Sequence, residues 1–293
     1  MPNDPGIDAR LPIGVFDSGV GGLTVLAALC AQLPQERFVY LGDTARLPYG
    51  IKSPDTVVRY ALRAADALIH RGVKALVIAC NTASAVALPA MGERYGALPL
   101  MGVVEPGAAA AAAATRSGRI AVIGTEATVR GGAYQRAIRR HRPDAQIRAL
   151  ACQLFVALAE EGWTEGPVAL ASAERYLSAL VTRTGSESNA CDSPAGTPAF
   201  AADTLVLGCT HFPMLRATIR EVIGEGVRLV DSAATTAQAT QALLQARRLL
   251  APAAPTGRRV QLLATDGAER FARVGARFLG RHIAPAEVEL VDL

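Results

Sequence analysis

The sequence predicts an α/β protein built as two pseudo-symmetric domains, each a mostly parallel sheet flanked by helices. Three observations carry this. Nine short apolar runs, at 13–16, 38–41, 75–79, 100–104, 119–123, 146–150, 204–207, 228–230 and 260–264, alternate with longer amphipathic stretches such as 54–71 and 169–183. Strands that read as unbroken apolar runs are buried on both faces, as in a parallel sheet covered by helices. Two post-strand segments also look alike, and 293 residues, 51% of them hydrophobic, leave room for two cores.

Each element has its own justification. Residues 13–16 form the first strand, and the glycines after it open a helix over 23–32. The run 38–41 is followed by a loop ending in Pro48-Tyr49-Gly50, a turn sequence. The stretch 75–85 (ALVIACNTASA) parallels 204–214 (TLVLGCTHFPM): a buried strand, a small residue, a Cys, then a Thr within two places. IGVFDS at 13–18 parallels IAVIGT at 120–125. The two offsets differ by about the length of residues 184–203, a Ser-, Pro-, Gly- and Ala-rich stretch with no period, read as a surface insertion. Without it the halves fall into register.

Composition removes several classes. Charged residues make up 19%, too few beside the apolar content for a disordered chain. No apolar run is long and clean enough to span a membrane, and residues 1–12 lack a signal peptide's apolar core. The net charge of +4 is mostly scattered Arg, and the one basic cluster, 136–142 (RAIRRHR), reads as a solvated helix face. No nucleic-acid partner is expected. Five Cys in a chain this long, without CxxC pairs, make neither a disulfide framework nor a zinc site.

Ligands of parallel α/β sheets sit beyond the carboxyl ends of the strands. That is where Cys80 and Cys209 fall, each expected to open a helix whose N-terminus favours a thiolate. A single Cys there is more often inert packing, but two in matching contexts ask for a reason. Cys30, Cys152 and Cys191 have no such context. Asp17-Ser18-Gly19-Val20-Gly21-Gly22 meets neither nucleotide fingerprint and suits a carboxylate or small phosphate. Asp17 could orient an ammonium group or accept a proton, and His211 could be the proton partner of Cys209. Glu160 and Glu161 close an apolar helix, where acids oppose the macrodipole. His70, His141 and His282 fall on polar helical stretches and read as surface residues.

If the halves face each other, one sulfur takes a proton from a bound molecule while the other gives one to the opposite face. That inverts a stereocentre, with Asn81, Thr82 and Thr210 available to hold carboxylate and ammonium groups, and it needs no cofactor and no metal.

At these residues the chain resembles the cofactor-independent glutamate racemases of the aspartate/glutamate racemase superfamily. The likeness runs through IGVFDSGVGGLTVL (13–26), YLGDTARLPYG (40–50), ALVIACNTASA (75–85), GVVEPG (102–107), TEATVRGGAY (125–134), LFVALAEEG (154–162), LVLGCTHFPML (205–215) and FLG (278–280). It implies that Cys80 acts on D-glutamate with help from Asp17, and Cys209 on L-glutamate with help from Glu160 and His211. It implies substrate contacts at Asp17, Ser18, Tyr49, Gly50, Asn81, Thr82, Thr210 and His211. It further implies a cytoplasmic enzyme supplying D-glutamate for peptidoglycan, with a homodimer among its assemblies. The chain would divide into a discontinuous domain, 1–104 plus 231–293, and a second, 105–230. Three departures stand out: a longer insertion at 184–203, Ala157 and Ala159 in place of Pro and Val, and Phe212 where many members carry Tyr.

Rival readings stay open on sequence alone. A racemase acting on aspartate or a hydantoin would differ only in pocket shape. A two-lobed binding protein would share the cleft without needing two thiols. A redox dithiol protein would need its sulfurs near bonding distance.

Overall fold

A computed structural model describes residues 6–180, 200–253 and 257–293. The chain runs β1 (Ile13–Asp17), α1 (Leu23–Gln32), β2 (Phe38–Gly42), α2 (Pro54–His70), β3 (Ala75–Ile78), α3 (Asn81–Tyr95), β4 (Leu100–Gly102), α4 (Val104–Ala114) and β5 (Arg119–Gly124). It continues through α5 (Glu126–Gly131), α6 (Ala133–His141), β6 (Gln146–Ala151), α7 (Leu154–Glu161), α8 (Pro167–Leu177), β7 (Thr204–Gly208), α9 (Arg216–Ile223) and β8 (Arg228–Asp231). It ends with α10 (Ser232–Ala246), β9 (Val260–Ala264), α11 (Ala268–Leu279) and β10 (Val288–Leu290).

Two sheets form, and every strand pair in them is parallel. The first has six strands in the order β10-β9-β2-β1-β3-β4, the second four in the order β6-β5-β7-β8. The run β2-β1-β3-β4 thus repeats as β6-β5-β7-β8. β1 corresponds to β5 and β3 to β7, the pairs of look-alike segments in the sequence. All five residues of β1 and all five of β7 are buried, which is why their sequences are unbroken apolar runs.

After β8 the chain returns through α10, which packs against α1 and α4, and adds β9 and β10 to the first sheet. One apolar cluster runs from Val15, Leu23 and Val77 in the first lobe to Ile123, Phe155 and Phe212 in the second. The seam between lobes is therefore packed, and it holds the site. Away from it, buried Lys74 donates to Glu36 and to the Ala9 carbonyl at 2.5 and 2.6 Å, while Glu36 also accepts from Ala251 N. A paired buried charge of this kind is costly to break.

Several expectations need adjusting. The strand at 100–104 stops at Gly102 because Val104 opens α4, with Glu105 and Pro106 suited to a first helical turn. The helix at 169–183 begins earlier, at Pro167 in its first turn, and gives way at Ser178–Leu180 to a 3₁₀ turn. His282 is not helical, since left-handed Gly280 ends α11 before it. β10 gave no signal: it is three residues long, and Glu289 and Leu290 are exposed. The expected insertion lies outside the described residues except for its last four, and so does Cys191. Among the described residues no helix is long and apolar enough to cross a membrane.

Candidate active site

Each sheet delivers one thiol to the seam. β3 ends one residue before Ala79, and Cys80 is the N-cap of α3. Its sulfur accepts the Ala83 backbone N–H at 3.4 Å and donates to Ser18 Oγ at 3.4 Å. β7 ends at Gly208, and Cys209 follows at once. Cys209 does not cap an α-helix, contrary to expectation. The chain instead makes a 3₁₀ turn, Phe212–Leu215, in which Pro213 has no N–H to offer, and α9 starts only at Arg216. The sulfur of Cys209 meets a side chain instead: His211 Nδ1 lies 3.8 Å away.

Both thiols open into one pocket. Ser18, Tyr49, Gly50, Asn81 and Thr82 line it from the first lobe, Thr210 and His211 from the second. Nine of the eleven expected site residues therefore converge, these seven with Cys80 and Cys209, while Asp17 and Glu160 lie outside the lining.

Asp17 is buried with its Oδ2 accepting from Gly19 N at 2.9 Å, while Oδ1 has no hydrogen-bond partner. The glycine loop thus wraps the protein's own carboxylate. Burial raises the Asp17 pKa against the opposing pull of His211 and the loop N–H groups. Gly21 matters for a different reason: a Cβ there would meet Thr210 Oγ1 at 2.4 Å and the His211 ring at 2.5 Å. A Cβ at Gly50 would meet Thr125 at 2.7 Å. At both points the lobes approach so closely that only glycine fits.

The electrostatics differ on the two sides. Burial, and then the charge of Asp17, push the Cys80 thiol up to about 12. On the other side burial opposes a charged His211, but its bonds to Cys209 and Glu160 win and raise the ring to about 10. His211 Nε2 donates to Glu160 Oε1 at 3.1 Å. Burial would also raise Glu160, yet His211 and Arg270 hold it below its ordinary value. The two sides therefore favour a protonated Cys80 facing an ion-paired His211.

Tyr49 lines the cavity with its hydroxyl already engaged, donating to Asp43 Oδ2 at 2.6 Å. Asn81 is fixed by Tyr134, whose hydroxyl donates to Asn81 Oδ1 at 2.7 Å. Sequence reasoning missed Thr125, Gln153 and Val156 in the lining. Thr125 was findable: it ends IAVIGT where Ser18 ends IGVFDS. Its hydroxyl joins those of Thr82 and Thr128 at 3.0 to 3.2 Å, binding the lobes across the cavity wall. Among the described residues no three His, Cys, Asp or Glu side chains gather to hold a metal ion.

Residues 16–188 match the profile of the Asp/Glu/Hydantoin racemase family. The chain belongs to that family. It is 52% identical over 268 residues to a glutamate racemase of Geobacter metallireducens, covering 92% of each chain. A glutamate racemase of Thermus thermophilus solved with β-chloro-D-alanine superposes with a TM-score of 0.81 at 44% identity, covering 98% of both chains. One from Francisella tularensis, solved with D-glutamate, gives 0.83 at 32% identity over 97% of this chain and 98% of that one. The family's two-domain α/β architecture is the one described above.

Proposed function

We propose that this chain interconverts L- and D-glutamate without a cofactor, using Cys80 and Cys209 as the two acid/base groups. The observation that carries this is the opening of both thiols, from opposite lobes, into one cavity. Relatives named as glutamate racemases, one of them solved with D-glutamate, supply the substrate.

In the L-to-D direction the Cys209 thiolate, paired with the His211 imidazolium, takes the α-hydrogen. The Cα–H bond breaks and an S–H bond forms. Cys80, kept protonated by burial, gives its proton to the opposite face, and a new Cα–H bond forms. In the D-to-L direction the roles exchange, with Asp17 as the base that draws the proton from Cys80. Glu160 sustains the charge on His211. Ser18, Tyr49, Gly50, Asn81, Thr82 and Thr210 hold the substrate's carboxylates and ammonium, and Asp17 and His211 bear on it electrostatically. The carbanion-like transition state is stabilised by these preorganised groups.

The same reading assigns residues 1–104 with 231–293 to one domain and 105–230 to the other. It places the enzyme in the cytoplasm as a supplier of D-glutamate for peptidoglycan, with a homodimer among the assemblies open to it. The test is chiral chromatography of the purified protein with L-glutamate, D-glutamate or L-aspartate, with no cofactor added. Both glutamate enantiomers should approach a 1:1 mixture, and replacing either Cys by Ala should stop inversion. Turnover of aspartate alone, or inversion by both single variants, would overturn the proposal.

A further inference from the structure

The residues flanking Glu160 hold a feature that the proposed chemistry does not use. Glu160 lies in the last turn of α7, in the second lobe, where exposed carbonyls make a carboxylate unfavourable. Its partners come from α11, whose neighbours β9 and β10 belong to the first sheet. Arg270 Nη2 donates to Glu160 Oε2 at 2.7 Å, and Arg277 Nη1 donates to the Glu160 carbonyl at 3.1 Å. Next to Arg277, the Phe278 ring stands edge-on to His211, with centroids 5.2 Å apart and an interplanar angle of 74°. Three side chains of α11 therefore grip the Glu160–His211 pair.

The two carboxylate oxygens are divided between two partners. Oε1 accepts from His211 and Oε2 from Arg270. A carboxylate held only by His211 could rotate or take the proton from the imidazolium. One held at both oxygens can do neither easily.

We propose that Arg270 is a positioning residue for racemisation: from the first lobe it fixes the Glu160 carboxylate that orients His211 toward Cys209. This rests on the proposed two-cysteine reading. It also makes the proton relay on the Cys209 side depend on closure of the lobes, since Arg270 and Glu160 meet only across the seam. The charged groups facing Glu160 are His211 from the turn after β7 and Arg270 and Arg277 from α11. Asp266, ahead of α11, lines the same small cleft as Glu160 and Arg270.

The sign follows directly. Removing a cation beside a carboxylate raises its pKa. In Arg270→Met the acid limb of the kcat/KM profile for glutamate should therefore move to higher pH. At neutral pH kcat/KM should fall between about 10- and 100-fold, the scale of a misplaced catalytic group. Arg270→Lys keeps the charge but not the geometry of the Nη2–Oε2 bond, so it should restore the limb while recovering only part of the rate. In a Glu160→Gln background the Arg270→Met change should add almost nothing, because its target is gone. Arg273→Met, on the exposed face of the same helix, controls for loss of helix stability. Should Met at 270 prevent folding, Arg270→Gln serves in the same assays. An unmoved acid limb in a folded variant, or a full effect persisting in the Glu160→Gln background, would overturn the role of Arg270. Absence of racemisation by the unaltered protein would instead remove the reading beneath it.

Discussion

Gly21 and His211 come from different lobes, yet a single added methyl on Gly21 would fall 2.5 Å from the His211 ring. The glycine loop after β1 is thus a contact surface for the Cys209 side of the site as well as a wrapping for Asp17. It lets one lobe set the position of the other's proton partner. Thr24 strengthens the same contact, its hydroxyl donating to the Thr210 carbonyl at 3.1 Å.

Gly21→Ala should therefore damage catalysis more than folding. The added carbon forces Thr210 and His211 away from the seam, and kcat/KM for glutamate should drop by about 100-fold. The thermal midpoint should fall only modestly, because the displaced groups border a cavity that can absorb movement. Steady-state kinetics beside a melting curve separates the two. Unchanged kinetics would mean that the lobes do not approach this closely in solution.

His211 should make stability depend on pH. Its folded pKa is raised to about 10, while an unfolded histidine titrates near ~6.5. A raised pKa stabilises the fold fully below the unfolded value, and the contribution drains away as pH rises through the folded one. Between about pH 6.5 and about 10 the protein should therefore lose stability, and His211→Asn should flatten that slope. Melting curves across this window check it, and parallel slopes for the two proteins would contradict it.

Asp17 should pull stability in the same direction, in a more acidic window. Burial raises its pKa, so the charged form costs stability once pH passes the unfolded carboxylate value. Asp17→Asn removes a buried charge whose Oδ1 has no partner. At pH 8 the variant should melt no lower than the parent while kcat falls by about 100-fold or more, the usual worth of a general acid/base group. A lower melting point with full activity would rule out the assigned role.

Much of this architecture was legible in the residues. β1, β3, β5 and β7 announce themselves because burial on both faces leaves no polar alternation, and the paired Cys segments mark the strand ends where a site belongs. β10 was invisible because an edge strand of three residues carries no periodicity. The asymmetry between the two thiols was hidden too. Nothing in CNTAS against CTHFP reveals that one sulfur caps a helix while the other leans on an imidazole, since Pro213 acts through backbone geometry. Arg270 and Arg277 lay beyond reach for another reason: they meet Glu160 over a separation of more than 100 residues, in a helix whose remaining charges are solvated. Thr125 already stood opposite Ser18 in the repeat and needed only that pairing to be carried over to the site.

The central claim is that two different groups handle the α-hydrogen, one on each face. Racemisation of protiated L-glutamate in D2O, stopped after a few per cent conversion and read by mass spectrometry after chiral separation, tests it most directly. The D-glutamate formed should carry deuterium at Cα in nearly every molecule, delivered by a solvent-equilibrated Cys80, while the remaining L-glutamate stays protiated. D-glutamate that retains the substrate's own hydrogen would show a single group carrying it from face to face and would contradict the account.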